Sequence, residues 1–433
     1  MFRVFCVACL LTAFSTCRSA SGADPKRDTN YDEAKVGTYV LPDPLTCADG
    51  SKVADASTWQ AKRRPELLEL FRSQMHGRSP ARPADMRFET TSVDRMALDG
   101  RATRKEIAIH LGPEADAPVI HLLLYVPNGA QQPVPAFLGF NFDGNHTIDA
   151  DPGIAIRPQW TWNRATGKEE LTTPDAATRG ASASRWLVPM IVGRGYATAT
   201  IARANVEPDY AAGWRHGIRG YFLKRSGREA FADDDWGCIA AWAWSLSRAL
   251  DYLATDPDVD AGRVVVHGHS RMGKTSLWAA AEDERFAAVI SNNSGEGGAA
   301  LARRNFGETT AVINSVFPHW FCGNYKQYST DASKLPFDAH ELVALAAPRP
   351  AYVASAQDDQ WADPRGEFLA IKHAEPVYAL FGRPGLGVAE FPGVDRPVGK
   401  GPAYHMRTGK HDINEYDWRQ YLDFADRNPA ARR

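Results

Sequence analysis

A serine flanked by glycines gives the first chemical signal in this sequence. The hexapeptide Gly268-His269-Ser270-Arg271-Met272-Gly273 follows the apolar run Val264-Val265-Val266 and precedes a helix-like stretch, Lys274 to Ala281. In such a strand-to-helix turn, glycines relieve clashes at a strained backbone position and expose the serine hydroxyl above the helix N-terminus. The pattern predicts a nucleophile elbow, and therefore acyl transfer through a covalent serine ester.

The elbow is not of the commonest form, because Arg271 and Met272 separate the serine from the next glycine. An ordinary tight turn would fit the same residues. A catalytic serine also needs a histidine base and a carboxylate that orients this base, in the chain order serine, acid, histidine. The residues downstream of Ser270 therefore decide between the two interpretations.

The C-terminal part of the chain supplies both groups. Asp359 follows the strand-like run Ala351 to Ser355, where an α/β-hydrolase presents its acid after the seventh strand. His411 follows the last strand-like run, Ala403 to Met406, which is the position of the base. We therefore predict a triad of Ser270, His411 and Asp359.

Three neighbours compete for these roles. His405 lies within a strand-like run, so a structural role on one sheet face is the simpler interpretation. Asp358 and Asp363 suit turns, and Asp363, before Pro364, suits the cap of a helix from Arg365 to His373. These alternatives are less favoured than His411 and Asp359.

The tetrahedral intermediate of acyl transfer requires hydrogen-bond donors. We expect the backbone N–H of Arg271 and a group from the loop Asn141 to Gly144 to supply them. The guanidinium of Arg271 can also donate to the oxyanion or hold a carbonyl oxygen. The alternative role for this arginine is a surface salt bridge.

The elements that position these residues indicate an α/β-hydrolase fold. Partly alternating runs at 86–91, 105–111 and 119–126 predict an antiparallel edge. Later runs are apolar on both faces and alternate with helices such as 234–254, which predicts a doubly wound, mostly parallel sheet in a three-layer αβα sandwich. These later runs are 136–140, 197–202, 264–267, 287–291 and 351–355.

Other segments lie outside this minimal sheet. Ser57 is expected to cap an N-terminal helical region that ends at Gly77. Insertions at about 143–185 and 295–339 follow strands at their carboxyl ends, so we assign them to the wall of the substrate-binding crevice.

Composition excludes several classes of function. The chain has 433 residues, 44% of them hydrophobic, and a formal net charge of -2, which favours a folded protein without a basic field for nucleic acid. Residues 1–23 resemble a cleavable signal peptide, with an apolar stretch from Val4 to Phe14, and no later run is long enough to span a membrane. We therefore expect a secreted or periplasmic monomer with one catalytic domain over residues 24–433.

Cysteine chemistry is not expected to be the function. Cleavage near Ala23 would leave Cys47, Cys238 and Cys322, an odd number that allows one disulfide or none. Their spacing fits no zinc motif, so we predict neither a metal nor a cofactor.

Four motifs resemble those of bacterial glucuronoyl esterases of carbohydrate esterase family fifteen. They are the elbow with its Ser-Arg-x-Gly-Lys core, the strings 293–298 and 304–308, and the segment 359–364. The resemblance spans roughly Val134 to the C-terminus. It implies cleavage of the ester between glucuronic acid branches of xylan, usually methylated at O4, and lignin alcohols, without a metal. It also implies that Arg271 is the oxyanion donor and that Lys274, Glu308 and Trp361 contact the uronic sugar.

The sequence departs from this family at one position. Many members carry the triad glutamate just before the Ser-Gly-x-Gly-Gly stretch, where this chain has Asn293. An amide cannot stabilise an imidazolium by charge, so the acid is expected at the other known position, which is Asp359. Glu296, three residues out of register, is a weaker substitute.

Other functions remain open at this point. An acetyl xylan esterase or another carbohydrate esterase would use the same fold and triad. A non-catalytic hydrolase-fold module could bind plant polysaccharide, although loss of catalysis would usually leave a triad residue replaced. A peptidase of the prolyl-oligopeptidase type would normally add a propeller, and the chain contains no repeats to build one.

Overall fold

A computed structural model describes residues 29–130 and 133–428, and its centre is a nine-stranded sheet in the order β1-β2-β3-β7-β4-β8-β9-β10-β11. The strands are β1 (Arg87–Met96), β2 (Ala102–His110), β3 (Val119–Pro127), β4 (Val134–Asn141), β7 (Ala197–Ala202), β8 (Val259–His269), β9 (Ala288–Asn292), β10 (Ala351–Ala356) and β11 (Ala403–Arg407). A separate antiparallel hairpin is formed by β5 (Gln159–Asn163) and β6 (Lys168–Thr172). The expected signal peptide, residues 1–23, lies outside the described residues.

The sheet is parallel from β7 to β11 and antiparallel at its other edge. Strands β7, β4, β8, β9, β10 and β11 pair in parallel, whereas β1, β2, β3 and β7 pair antiparallel. Every residue of β7 and β10 is buried, while β1 is largely exposed. The α/β-hydrolase prediction, with its antiparallel N-terminal edge, is confirmed.

Helices cover both faces of the sheet. They are α1 (Ala56–Thr58), α2 (Arg64–Phe71), α3 (Ala97–Gly100), α4 (Ala183–Trp186), α5 (Val188–Gly193), α6 (Ile218–Arg225), α7 (Cys238–Leu253), α8 (Arg271–Glu282), α9 (Thr310–Val316), α10 (Ala339–Ala344), α11 (Pro364–Leu380) and α12 (Glu415–Arg427). Val264 and Val266 belong to the hydrophobic cluster that includes α2, α7, α8 and α11, whereas Val265 between them belongs to the cluster that includes α5 and α12. This alternation is the period of two expected of a strand buried on both faces.

The N-terminal helical region, residues 56–76, begins two residues earlier than predicted. Its cap is Asp55, whose side chain accepts from the backbone N–H of Thr58 at 2.7 Å. The prediction that Ser57 is the cap is therefore wrong, because the carboxylate two residues earlier takes the cap position and includes Ser57 in the first turn. The region ends, as predicted, at Gly77, with a φ of 82°.

The two predicted insertions lie outside the main sheet. The first contains the β5–β6 hairpin, and the second contains α9 and several short 3₁₀ turns. Cys47, Cys238 and Cys322 are free and buried. Within residues 29–130 and 133–428, no helix has the length and apolar character needed to cross a bilayer.

Candidate active site

Ser270 stands at the junction of β8 and α8 in a strained conformation. Its φ and ψ are 59° and −130°, a combination that costs about 1–3 kcal/mol and must be enforced by the surroundings. Its backbone N–H donates to the carbonyl of Asn292 on the next strand at 2.8 Å. A Cβ on Gly268 would lie 1.9 Å from the carbonyl oxygen of Met272, so only glycine fits there. The predicted elbow is present.

The second glycine of the elbow has a packing role that explains the unusual spacing. A Cβ on Gly273 would lie 3.0 Å from the Cβ of Ser294 and 3.1 Å from Oγ of Ser291. Helix α8 therefore lies close to the end of β9 at residue 273. A glycine three residues after the serine serves this contact.

His411 and Asp359 are joined by a short hydrogen bond. The distance from Nδ1 of His411 to Oδ2 of Asp359 is 2.6 Å. An ionised carboxylate only accepts, so Nδ1 carries the proton and Nε2 keeps a lone pair that can take a proton from a serine. The carboxylate is 4% exposed and the imidazole 41% exposed, so the base is open to a substrate while its partner is not.

All three predicted triad residues line one cavity of about 380 Å³. Among the described residues, no hydrogen bond joins Oγ of Ser270 to His411. In hydrolases without substrate this contact is often long and shortens when the reacting group binds. The arrangement can therefore support serine-based acyl transfer.

The competing histidine and one of the two competing carboxylates bind other partners, and the second carboxylate is exposed. His405 is fully buried between the hydroxyl of Tyr352, at 2.8 Å, and Asp417, at 2.9 Å. Asp363 pairs with Arg304 at 2.7 Å and caps α11, and Asp358 is exposed.

Glu296, the weaker substitute for the acid, lies among hydroxyl groups. It accepts from the hydroxyls of Thr310 and Tyr325 at 2.8 and 2.7 Å. Burial raises its pKa to about 7, so this group is poorly suited to stabilise an imidazolium by charge.

Asn293 occupies the position of the missing glutamate and contacts the acid directly. Its Nδ2 donates to Oδ2 of Asp359 at 2.7 Å, and its φ is 47°. A glutamate here would place a second carboxylate beside Asp359, whereas the amide supplies a hydrogen-bond donor to it. Sequence reasoning identified the replacement but not this contact.

Arg271 is held over an aromatic ring by a buried carboxylate. One of its terminal nitrogens pairs with Asp209, and its guanidinium carbon lies 4.8 Å from the Trp320 ring centroid. Arg271 lines the catalytic cavity, so its ion pair lies within the site and not on the outer surface. Asp209 and the Trp320 ring therefore fix the guanidinium in the cavity wall, and its role as an oxyanion donor stays a prediction.

Asp209 was not found by sequence reasoning. Burial by itself would raise the pKa of Asp209. The hydrogen bond from His319 and the charges of Arg203 and Arg271 outweigh burial and keep this pKa far below its usual range. Trp320 also donates to this carboxylate, at 2.8 Å. The only signal in the sequence was its place soon after β7, at the carboxyl edge of the sheet.

The loop after β4 uses its asparagine to hold its own shape. Nδ2 of Asn141 donates to Asn145 at 2.7 Å and to Thr200 at 3.1 Å, and its Oδ1 accepts from the N–H of Gly144. An oxyanion donor from this loop would then be a backbone N–H. That contribution stays a prediction.

Lys274 and Glu308 form a buried ion pair in the cavity wall. Nζ of Lys274 lies 3.0 Å from Oε2 of Glu308, and their side chains are 3% and 5% exposed. Trp361 lines the same cavity, and its carbonyl accepts from the N–H of Glu308 at 2.8 Å. A Cβ on Gly307 would lie 2.4 Å from that carbonyl, so the glycine permits this approach.

Glu367 lies behind the cavity wall and bonds to two residues that line it, Ser294 and Gly295. Sequence reasoning did not identify it. Its Oε1 accepts from the N–H groups of Ser294 and Gly295 at 2.6 and 3.0 Å, and its Oε2 bonds to the hydroxyl of Ser355 at 2.6 Å. Burial raises the pKa of this carboxyl to about 8. Glu367 is therefore largely protonated at neutral pH.

This shift predicts a pH-dependent stability. The pKa is raised from its ordinary value of 4.5 to about 8, so between these values the folded state binds a proton that the unfolded chain releases. Stability contributed by Glu367 is therefore lost as the pH rises through this window. In Glu367→Gln, an amide imitates the protonated carboxyl, so the gain in melting temperature over the wild type should grow from pH 5 to pH 8.

Melting curves at several pH values check this expectation. Glu415→Gln, which changes an exposed glutamate in α12, should follow the wild-type curve in parallel. If Glu367→Gln is also parallel to the wild type, the carboxyl titrates alike in both states.

A second cavity, of about 420 Å³, adjoins the first. Phe317 lines both cavities, and Asp209, which holds Arg271, lines the second. Its wall also contains four more aromatic side chains, Phe142, Trp160, Trp162 and Tyr210, among polar ones such as Gln159 and Arg164. Trp162 is 46% exposed, so a flat apolar face is available beside the catalytic centre.

Comparisons with known proteins agree on one family. A family model described as glucuronyl esterase of fungi matches residues 192–382. The chain is 46% identical over 402 residues, 92% of each chain, to the carbohydrate esterase MZ0003 of an unknown prokaryotic organism. It is 31% identical to a 4-O-methyl-glucuronoyl methylesterase of Hypocrea jecorina over 79% of this chain and 62% of that one.

A solved structure extends the similarity to the fold. The glucuronoyl esterase from Solibacter usitatus is 48% identical, with a TM-score of 0.87, over 92% of this chain and all of that one.

Proposed function

The chain belongs to the glucuronoyl esterases of carbohydrate esterase family fifteen, and from this we propose that it hydrolyses esters of glucuronic acid or 4-O-methyl-glucuronic acid on glucuronoxylan. One observation carries the proposal. The candidate nucleophile Ser270, the His411–Asp359 pair and the Lys274–Glu308 pair line a single cavity. A reactive centre and polar groups suited to a sugar acid thus face the same space.

The proposed reaction is a double displacement. Ser270 attacks the uronoyl carbonyl while Nε2 of His411 accepts its proton, and the imidazolium then protonates the leaving alcohol oxygen. A water that gives its proton to His411 then attacks the ester carbon, the bond to Ser270 breaks, and the serine regains its proton. Asp359 remains ionised throughout and stabilises the imidazolium.

Arg271 is proposed to stabilise the developing oxyanion. Asp209 and the Trp320 ring fix the guanidinium before substrate arrives, so no reorganisation is needed as charge develops. The backbone N–H of Arg271 would supply a second donor at the helix N-terminus.

The uronic sugar is proposed to lie against Lys274, Glu308 and Trp361. Lys274 can donate to hydroxyl oxygens, Glu308 can accept from hydroxyl groups, and Trp361 offers an apolar face to a pyranose ring. The ion pair keeps both charged groups in place within the cavity wall. Each charge is therefore compensated in the protein interior by the other, even when no substrate is bound.

The alcohol half of the ester is proposed to be aromatic, as in lignin. An alcohol that extends beyond the catalytic cavity past Phe317 enters the second cavity, where Trp162 and Tyr210 present aromatic faces. Aromatic pairs contribute about 0.5–1.5 kcal/mol beyond burial, so an aromatic alcohol should be favoured over methanol about three- to tenfold through one such contact.

A substrate panel tests the whole proposal. We expect the wild type to hydrolyse benzyl glucuronate faster than methyl glucuronate, and both faster than acetylated xylo-oligosaccharides. Trp162→Ala should reduce kcat/KM for the benzyl ester about three- to tenfold and leave the methyl ester unchanged, because only the benzyl ester reaches the second cavity.

The matched control is Leu171→Ala, which removes another exposed apolar side chain of the same hairpin that does not line the cavity. Turnover of acetyl esters alone would instead identify an acetyl xylan esterase. Absence of all turnover would favour a polysaccharide-binding module. Equal losses for the methyl and benzyl esters in Trp162→Ala would remove the aromatic-alcohol assignment.

A further inference from the structure

The loop that carries His411 is built around one arginine. Arg407, the last residue of β11, is 2% exposed, and its guanidinium donates to three carbonyls of this loop. The acceptors are the carbonyl oxygens of Thr408 at 2.9 Å, Lys410 at 2.9 Å and Asp412 at 2.6 Å. Because two of these carbonyls flank His411, the guanidinium holds the backbone on both sides of the imidazole.

A buried carboxylate fixes this guanidinium. Asp417, in the first turn of α12, is fully buried, and its Oδ2 accepts from Nε of Arg407 and from the N–H of Asn414, both at 2.8 Å. Its Oδ1 accepts from Nε2 of His405 at 2.9 Å and from Nδ2 of Asn292 at 3.2 Å. Asp417 therefore ties the His411 loop to the centre of the sheet.

Asn292 extends the same network to the nucleophile. Its Oδ1 lies 2.6 Å from Nδ1 of His269, and its backbone carbonyl accepts from the N–H of Ser270 at 2.8 Å. The His269 ring also packs against the His411 ring, with 4.5 Å between centroids. Nucleophile and base are thus attached to one set of buried hydrogen bonds.

We propose that Arg407 is a positioning residue for the base, acting through the carbonyls of Lys410 and Asp412 and anchored by Asp417. The inference rests on the proposed function for the role of His411. An arginine suits this task because its planar fork reaches several acceptors in fixed directions, whereas the single nitrogen of lysine cannot replace that geometry. A shift of about 1 Å between reacting groups lowers a rate about 10²-fold.

A purely structural role makes a different prediction. If Arg407 only fastens β11 to α12, its loss lowers stability but leaves each folded molecule fully active. Positioning instead lowers kcat with little change in KM, since Lys274, Glu308 and Trp361 receive no hydrogen bond from Arg407.

Arg407→Lys and Arg407→Ala separate these cases in the full-length enzyme. We expect kcat for benzyl glucuronate to fall about 10²-fold in Arg407→Lys, with KM changed by less than about threefold. The rate at which a fluorophosphonate labels Ser270 should fall by a similar factor, because labelling also needs the base. Arg419→Ala removes an exposed arginine from α12 and should match the wild type in both assays.

The outcomes are distinct. A folded Arg407 variant with wild-type kcat and labelling rate, or one with raised KM and unchanged kcat, overturns the proposal. If Arg407→Ala does not fold, the Arg407→Lys measurements decide. If the wild type is labelled at Ser270 but hydrolyses no glucuronate ester, the proposed function fails, and the labelling rates still test Arg407.

Discussion

Replacing Ser270 with alanine should abolish ester hydrolysis while the protein remains folded. The side-chain oxygen is the only heavy atom lost, and the elbow geometry around it is set by the backbone and by Gly268 and Gly273. Loss of a serine nucleophile in other triads costs about 10⁶-fold in kcat, because the base and acid have no group left to activate. Single-turnover hydrolysis of benzyl glucuronate is the measurement.

Binding and folding give the necessary controls for this variant. Glucuronate affinity, measured by calorimetry, should be within about twofold of the wild type, since Lys274, Glu308 and Trp361 are unchanged. Ser276→Ala removes a hydroxyl from the same helix that bonds only to backbone carbonyls, and its turnover should be normal. Substantial ester hydrolysis by Ser270→Ala would show that another group is the nucleophile.

The sheet could be predicted because its signals are local. Runs such as Val264 to Val266 are apolar on both faces, and this pattern is typical of a buried parallel strand wherever it lies in the chain. The helix cap shows where a local signal is insufficient. Asp55 and Ser57 are both good caps by residue type, and only the backbone conformation selects Asp55.

The meeting of Ser270, Asp359 and His411 in one cavity was predictable from chain order, but the buried residues that support them were not. The supporting residues act through buried contacts with residues distant in sequence or with backbone carbonyls. They are Asp209, Glu367 and Arg407. No short sequence motif predicts such contacts. A buried carboxylate is retained only where tertiary structure supplies donors or cations. These donors and cations can be identified only from the three-dimensional structure of the carboxyl edge of the sheet.

Changing Asp359 to asparagine should lower kcat about 10⁴-fold, as in triads where the acid fixes the imidazole tautomer. The new amide would face Nδ1 of His411 and also Nδ2 of Asn293, which in the wild type donates to the carboxylate at 2.7 Å. Both contacts end on the same oxygen, Oδ2. An amide oxygen in that place carries no charge to stabilise the imidazolium, and an amide nitrogen there favours the tautomer whose Nε2 cannot accept a proton. Asp358→Asn, at the exposed neighbouring position, is the matched control.

A second substitution distinguishes loss of charge from loss of structure. In Asp359→Asn with Asn293→Glu, a carboxylate returns beside the imidazole from the end of β9, so part of the lost kcat should be regained. Steady-state rates for the two single variants and the double variant form a cycle whose coupling measures this shared task. Near-normal turnover in Asp359→Asn alone would assign the acid to Glu296 or Asp358. No recovery in the folded double variant would show that the direction from which the charge approaches His411 matters as much as its presence.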